Sequence, residues 1–161
     1  MKLAKIGTVS HGTLRTEDLL SSFISELEWH IRNNGDHFSQ PENFSERDRL
    51  NNIIGEAQDC FAEDGEEIDP DKEDIAEELV NETLPDAIGE FAPAYCYFGA
   101  HEGDGSDFGF WPSWSEIDDL PTYEDTDAAK EAGEENDFKV VNDHGNIKIY
   151  SASGESILGL V

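Results

Sequence analysis

Basic residues are scarce in this chain. Its 161 residues include ten Lys and Arg against 38 Asp and Glu, a formal net charge of −28. So few cations cannot neutralise phosphates, which argues against direct nucleic-acid binding and against adhesion to anionic membranes. Such a surface attracts basic proteins and cations instead. Cysteine is nearly absent as well. Cys60 and Cys96 make no disulfide framework and lack zinc-ligand spacing, so both read as reduced, small apolar residues. No run of about 18 apolar residues occurs, and MKLAKIGTVSHG lacks the apolar stretch of a signal peptide. A cytoplasmic location in a host cell is therefore expected.

Catalytic and cofactor motifs are missing too. There is no G-x-S-x-G, P-loop, dinucleotide-binding or zinc-finger pattern. An EF-hand loop needs an oxygen ligand at its first position, and counting back from Gly65 puts Cys60 there. No cofactor and no enzymatic activity are expected.

What the chain does have is core material and concentrated charge. Apolar residues make up 37% and aromatics 10%, among them Trp29, Trp111 and Trp114, enough for one domain over 1–161. Residues 1–55 carry eight acids and six bases, and residues 138–161 carry two of each. Residues 56–137 carry 28 acids and two bases, Lys72 and Lys130, for a net of −26. Adaptation to high salt would spread acids over every exposed face. A net of −26 confined to 82 residues reads instead as a local function. Matched against duplex DNA at one charge per ~1.7 Å of axis, it corresponds to about 44 Å of helix.

Periodicity predicts an α+β order. Residues 3–9 suggest a strand closed by Ser10-His11-Gly12. Thr16 is placed to N-cap a helix over 17–33, with Leu19, Leu20, Phe23, Ile24, Leu27 and Ile31 on one face. Residues 35–44 read as a loop. A second helix opens at Ser45 and buries Leu50, Ile53, Ile54, Ala57 and Phe61. Asp69 then caps a third helix with Pro70 in its first turn, Ile75, Ala76, Leu79 and Val80 facing inward. Pro85 is expected to break that helix before another turn or two at 85–92. Tyr95–Phe98 and Phe108–Trp111 flank the glycine-rich GAHEGDGSD and suggest a hairpin. Residues 115–137 mix a short helix with loop. FKVVN, NIKIYSA and SILGLV form a three-stranded C-terminal meander with turns at Asp143-His144-Gly145 and Ser153-Gly154. The N-terminal strand and three to four helices thus precede an antiparallel hairpin and the meander.

The strongest functional signal is the run Glu63, Asp64, Glu66, Glu67, Asp69, Asp71, Glu73, Asp74, Glu77, Glu78 and Glu82, eleven carboxylates in twenty positions. Pairs such as Asp74–Glu78 and Glu78–Glu82 repel at i,i+4 with no local compensation. With Asp118, Asp119, Glu124, Asp125 and Asp127 they form the candidate partner-binding set; a merely solvated face is the plain alternative. A second reading gives partner binding to the aromatic hairpin 95–112 around Phe98, Phe110 and Trp111. A third, a metal-dependent enzyme, centres on His101, Asp104 and Asp107, with Glu102 nearby. The other histidines, His11, His30, His37 and His144, are scattered.

VSHGTLRTEDLL, AYCYFGAHEGDGSDFGFWP and VVNDHGNIKIY resemble segments of small, mostly uncharacterised proteins carried by phages and plasmids. The charge profile separately resembles DNA-mimic inhibitors of restriction and CRISPR systems. That likeness rests on acidity and size, so no residue role carries over. It implies a basic nucleic-acid-binding partner, such as a host nuclease, restriction enzyme or CRISPR component. A homodimer is compatible with the sequence.

Overall fold

The computed structural model describes residues 1–161. Their packing falls into two units, Met1–Ala92 with Tyr97–Trp111 and Pro93–Cys96 with Pro112–Val161. No helix is long and apolar enough to cross a membrane. The element order is the predicted α+β one: a strand, helices, then strands.

In the first unit, β1 (Gly7–His11) leads into α1 (Thr16–Asn33). β1 starts later than residue 3 because the preceding segment is tied to helices rather than to the sheet. The Ala4 N–H donates to Phe91 O, and the Asn34 side-chain amide donates to Lys2 O at 3.1 Å. Thr16 is the first helical residue and not the cap. Arg15 holds the cap position without a side-chain bond, while the Thr13 hydroxyl donates to Asp18 at 2.7 Å and so spans the helix start. Residues 35–44 are helical rather than loop, forming α2 (Gly35–Phe38) and a 3-10 turn at Pro41–Asn43. α2 buries Phe38 in the core. α3 (Phe44–Gln58) follows, burying Leu50, Ile54 and Ala57.

The acidic helix begins with a 3-10 turn at Pro70–Lys72, capped by Asp69, whose carboxylate accepts the Asp71 N–H at 3.0 Å. It continues as α4 (Glu73–Glu78), a π turn at Leu79–Thr83 and α5 (Leu84–Gly89). Pro85 does not break it. The π turn lets the Leu84 N–H reach Leu79 O, five residues back, and so absorbs the residue that lacks a donor and crowds the turn before it. Ala76, Leu79, Val80 and Leu84 face the core. Ile75, predicted inside, is 43% exposed, because it sits about 100° around the helix from Ala76.

The hairpin is β2 (Cys96–His101) and β3 (Asp104–Pro112), longer than predicted, with only Glu102 and Gly103 between the strands. The sheet order is β1-β3-β2, with β1 antiparallel to β3. α1 lies on this sheet. Phe23 meets Phe98 and Phe108 edge-on at 5.2 and 5.5 Å, and Phe98 packs on Phe110 at 5.1 Å. Burying each such side chain contributes about 1.5–3 kcal/mol. β1 and β3 approach so closely at Thr8–Gly109 that a Cβ on Gly109 would lie 2.2 Å from Gly7 O. Gly109→Ala should therefore cost about 1–3 kcal/mol by forcing the strands apart, read as a lower denaturant midpoint.

In the second unit, α6 (Trp114–Asp118), β4 (Thr122–Tyr123) and α7 (Thr126–Ala132) precede the predicted meander β5 (Phe138–Val141), β6 (Ile147–Tyr150) and β7 (Ser156–Leu160). β4 adds to this sheet parallel to β5, giving the order β4-β5-β6-β7. Phe138 and Ile149 form its centre, with Tyr123 and Tyr150 against the Phe138 ring at 5.6 and 5.7 Å. Lys139 is buried with its ammonium donating to Ile117 O at 2.8 Å and Asp118 O at 3.0 Å, closing the end of α6.

Tyr95 is the one non-glycine residue with positive φ, at 64°. Its hydroxyl donates to Asp137 at 2.7 Å. Burial first, then the Asp137 carboxylate, pushes its pKa from 10.0 up to about 12. The folded state thus holds this proton more tightly than the unfolded one. The resulting stability is complete below pH 10.0 and is lost as pH rises through about 12. In a tyrosinate absorbance titration the last step to appear should be lost in Tyr95→Phe.

Candidate acidic interaction surface

The acidic surface of the first unit begins in the loop after α3. Phe61 bridges Ile68, the Ala62 N–H donates to Glu67 O at 2.8 Å, and the Asp69 N–H donates to Cys60 O at 2.9 Å. Gly65, at φ +73°, makes the turn inside this closed loop. Two of the eleven carboxylates serve the loop itself. Asp64 accepts the Glu66 and Glu67 N–H groups, which lower its pKa, and Asp69 is the helix cap. Cys60 is buried beside it, and burial raises its thiol pKa. Glu63, Glu66, Glu67 and Asp71 are exposed.

Past the cap, Glu73, Asp74, Glu77, Glu78 and Glu82 are all exposed, while Ala76, Leu79 and Val80 fill the other side of the same helix. At ~1.5 Å rise per residue, these five charges span about 13 Å, one per ~3.4 Å of axis. One strand of duplex DNA carries a phosphate per ~3.4 Å. No Lys, Arg or His nitrogen pairs with any of the eleven carboxylates from 63 to 82. Lys72, the base inside this run, donates its ammonium to the Asp59 carbonyl instead. At one end the row opens into a hollow of about 380 Å³ lined by Glu17, Glu67, Glu73 and Glu77. Arg15 hydrogen-bonds Glu17 at its margin, and that bond is the main cause holding the guanidinium pKa above its ordinary value, with smaller help from Asp18 and Glu67.

The second unit's candidates are less free. Asp125 caps α7 by accepting the Ala128 N–H at 2.8 Å. Asp118 lies 3.9 Å from Lys139 and Asp127 4.0 Å from Lys130. Asp119 and Glu124 are exposed and unpaired.

The hairpin does not present the aromatic surface the sequence suggests. Phe98 and Phe110 are 8% and 1% exposed and belong to the core, because the sheet turns that face onto α1. Trp111 is half-buried and spends its indole N–H on Gly99 O at 3.0 Å. Nearby, His101 accepts the Gly103 N–H at 3.0 Å, and Asp104 accepts from Ser106, which lowers its pKa, with a smaller contribution from His11 at 3.5 Å. These bonds shape the turn. No three His, Cys, Asp or Glu side chains converge where they could hold a metal ion. Cys96, in the second unit, is a free thiol raised to about 11 by burial.

Sequence reasoning found the acidic row but missed His30. This residue is fully buried against Phe91, at 4.3 Å between rings, whereas the sequence reading counts it only among the scattered histidines and gives the inner face of α1 to Ile31 instead. No protein-family model, curated protein or solved structure matches the chain.

Proposed function

We propose that the chain is a decoy for nucleic acid, acting by binding and not by catalysis. Its exposed carboxylates take the place of phosphates in the basic groove of a host nucleic-acid-binding protein, a restriction enzyme, nuclease or CRISPR component. The supporting observation is the unpaired set Glu73, Asp74, Glu77, Glu78 and Glu82, whose mean charge density along the helix axis is about that of one phosphate strand. An ordinary solvated face would scatter compensating Lys and Arg among these acids, as i,i+4 pairing favours. Leaving five like charges uncompensated costs local stability and serves a partner that brings the cations. The resemblance to phage and plasmid proteins fits a mobile-element origin and a target in the host cytoplasm.

Multiple carboxylates meeting Arg and Lys would speed encounter and make affinity fall steeply with ionic strength. The test is a salt titration of the complex with a DNA-binding defence enzyme. A log–log slope of several units supports the reading, and salt-independent binding contradicts it.

A further inference from the structure

A hollow of about 650 Å³ in the first unit lies between β1 and α1 and shares no lining residue with the acidic row. Lys5–Val9 form one wall, Ser22, Ser25, Glu26 and Trp29 the other, and Phe110 lies at the base. β1 is the edge of its sheet, bonded to β3 on one side only. Outside that ladder, no backbone hydrogen bond involves Lys5–Val9. Of these residues Gly7–Val9 belong to β1, so the wall offers the outward-facing groups of a short edge segment, about 10 Å at ~3.4 Å per residue.

The opposite wall names the chemistry of the occupant. Trp29 is 46% exposed, large for an indole, and stands edge-on to His30. His30 has no exposed surface, and neither ring nitrogen makes a hydrogen bond. Its Nε2 lies 3.0 Å from the Glu26 carboxylate, an ion-pair contact one helical turn along α1. The Glu26 carboxylate remains partly exposed at the groove, about one helical turn from an open indole. A guanidinium fits both: its fork meets a carboxylate and its plane lies on an aromatic face, which an ammonium does less well. A second copy of the chain, itself at −28, would bring repulsion rather than a cation.

We propose that this groove takes an extended, arginine-bearing segment of a basic partner, which adds as a strand on the free edge of β1 and lays a guanidinium across Trp29 against Glu26. This rests on the proposed function only for the basic character of the partner. The segment docks by main-chain bonding, so it is recognised separately from the acidic row.

The test uses the full chain and a capped hexapeptide of alternating Arg with Val or Thr, titrated by calorimetry. Two further peptides carry N-methyl groups on one or the other alternate set of amides, and another replaces Arg by Lys. The expected result is one-to-one binding, weakened about tenfold by one N-methyl set and by Lys substitution. Glu26→Gln and Trp29→Leu should each weaken it about tenfold. Trp29 is exposed enough for its variant to fold, and near-UV dichroism checks this. A variant with Glu73, Asp74, Glu77, Glu78 and Glu82 amidated should bind the peptide within about threefold of wild type. Equal binding of both N-methylated peptides, or unchanged binding by both groove variants, overturns the proposal. Loss of peptide binding in the amidated variant would also overturn it, by reducing the contact to general charge. Failure of DNA displacement with peptide binding intact would sink the decoy reading alone.

Discussion

Amidating Glu73, Asp74, Glu77, Glu78 and Glu82 should stabilise the fold and, on the proposed decoy reading, weaken partner binding at once. Glu73–Glu77 and Asp74–Glu78 are like charges four residues apart within α4, and Glu78–Glu82 repel across the π turn. Each such pair destabilises a helix by about 0.2–0.5 kcal/mol, so their removal should add about 1 kcal/mol. Added salt should raise the melting temperature of the wild-type chain for the same reason, and less so in the variant. Binding should move the other way. At about 0.5–1 kcal/mol per exposed ion pair formed with a groove, five lost pairs weaken a complex by roughly 10²–10³-fold. Few surface changes separate stability from function so widely, because no other group in the structure uses these carboxylates.

Phe23→Ala should carry the largest cost to stability. The side chain is fully buried in α1 and touches Phe98 and Phe108 on the sheet beneath. Truncation leaves a cavity between helix and sheet and removes two edge-on ring contacts, a loss of about 3–5 kcal/mol. That is a large part of the ~5–15 kcal/mol that holds an ordinary domain together. Chemical denaturation of the first unit should show it, and Phe23→Leu should recover most of the loss. A loss below about 1 kcal/mol for the alanine variant would mean that the α1–sheet contact is not the core described here.

Much of this fold is legible in the sequence, and the exceptions have physical causes. α1 announces itself because Leu19, Leu20, Phe23, Ile24 and Leu27 recur at helical spacing, and Asp69-Pro70 marks a helix start unmistakably. Pro85 misleads because its rule concerns an α-helical turn, and the chain widens into a π turn just before it. Phe98, Phe110 and Trp111 look alike in a hairpin sequence, yet alternation and the position of α1 send the two phenylalanines inside. β4, two residues long, is too short for any periodicity to register, and it exists because β5 offers it an edge. The acidic row was visible because charge needs no fold to be counted. The groove beside β1 was not, because it depends on β1 lying at the sheet edge, a fact of strand order alone.

The most direct check is displacement of labelled duplex DNA from a panel of restriction and CRISPR nucleases, run side by side with the wild-type chain and the five-amide variant. Wild-type protein should displace DNA from at least one enzyme in near-stoichiometric amounts at low salt, with the variant inert. Displacement by both proteins equally, or by neither from any enzyme, would contradict the account.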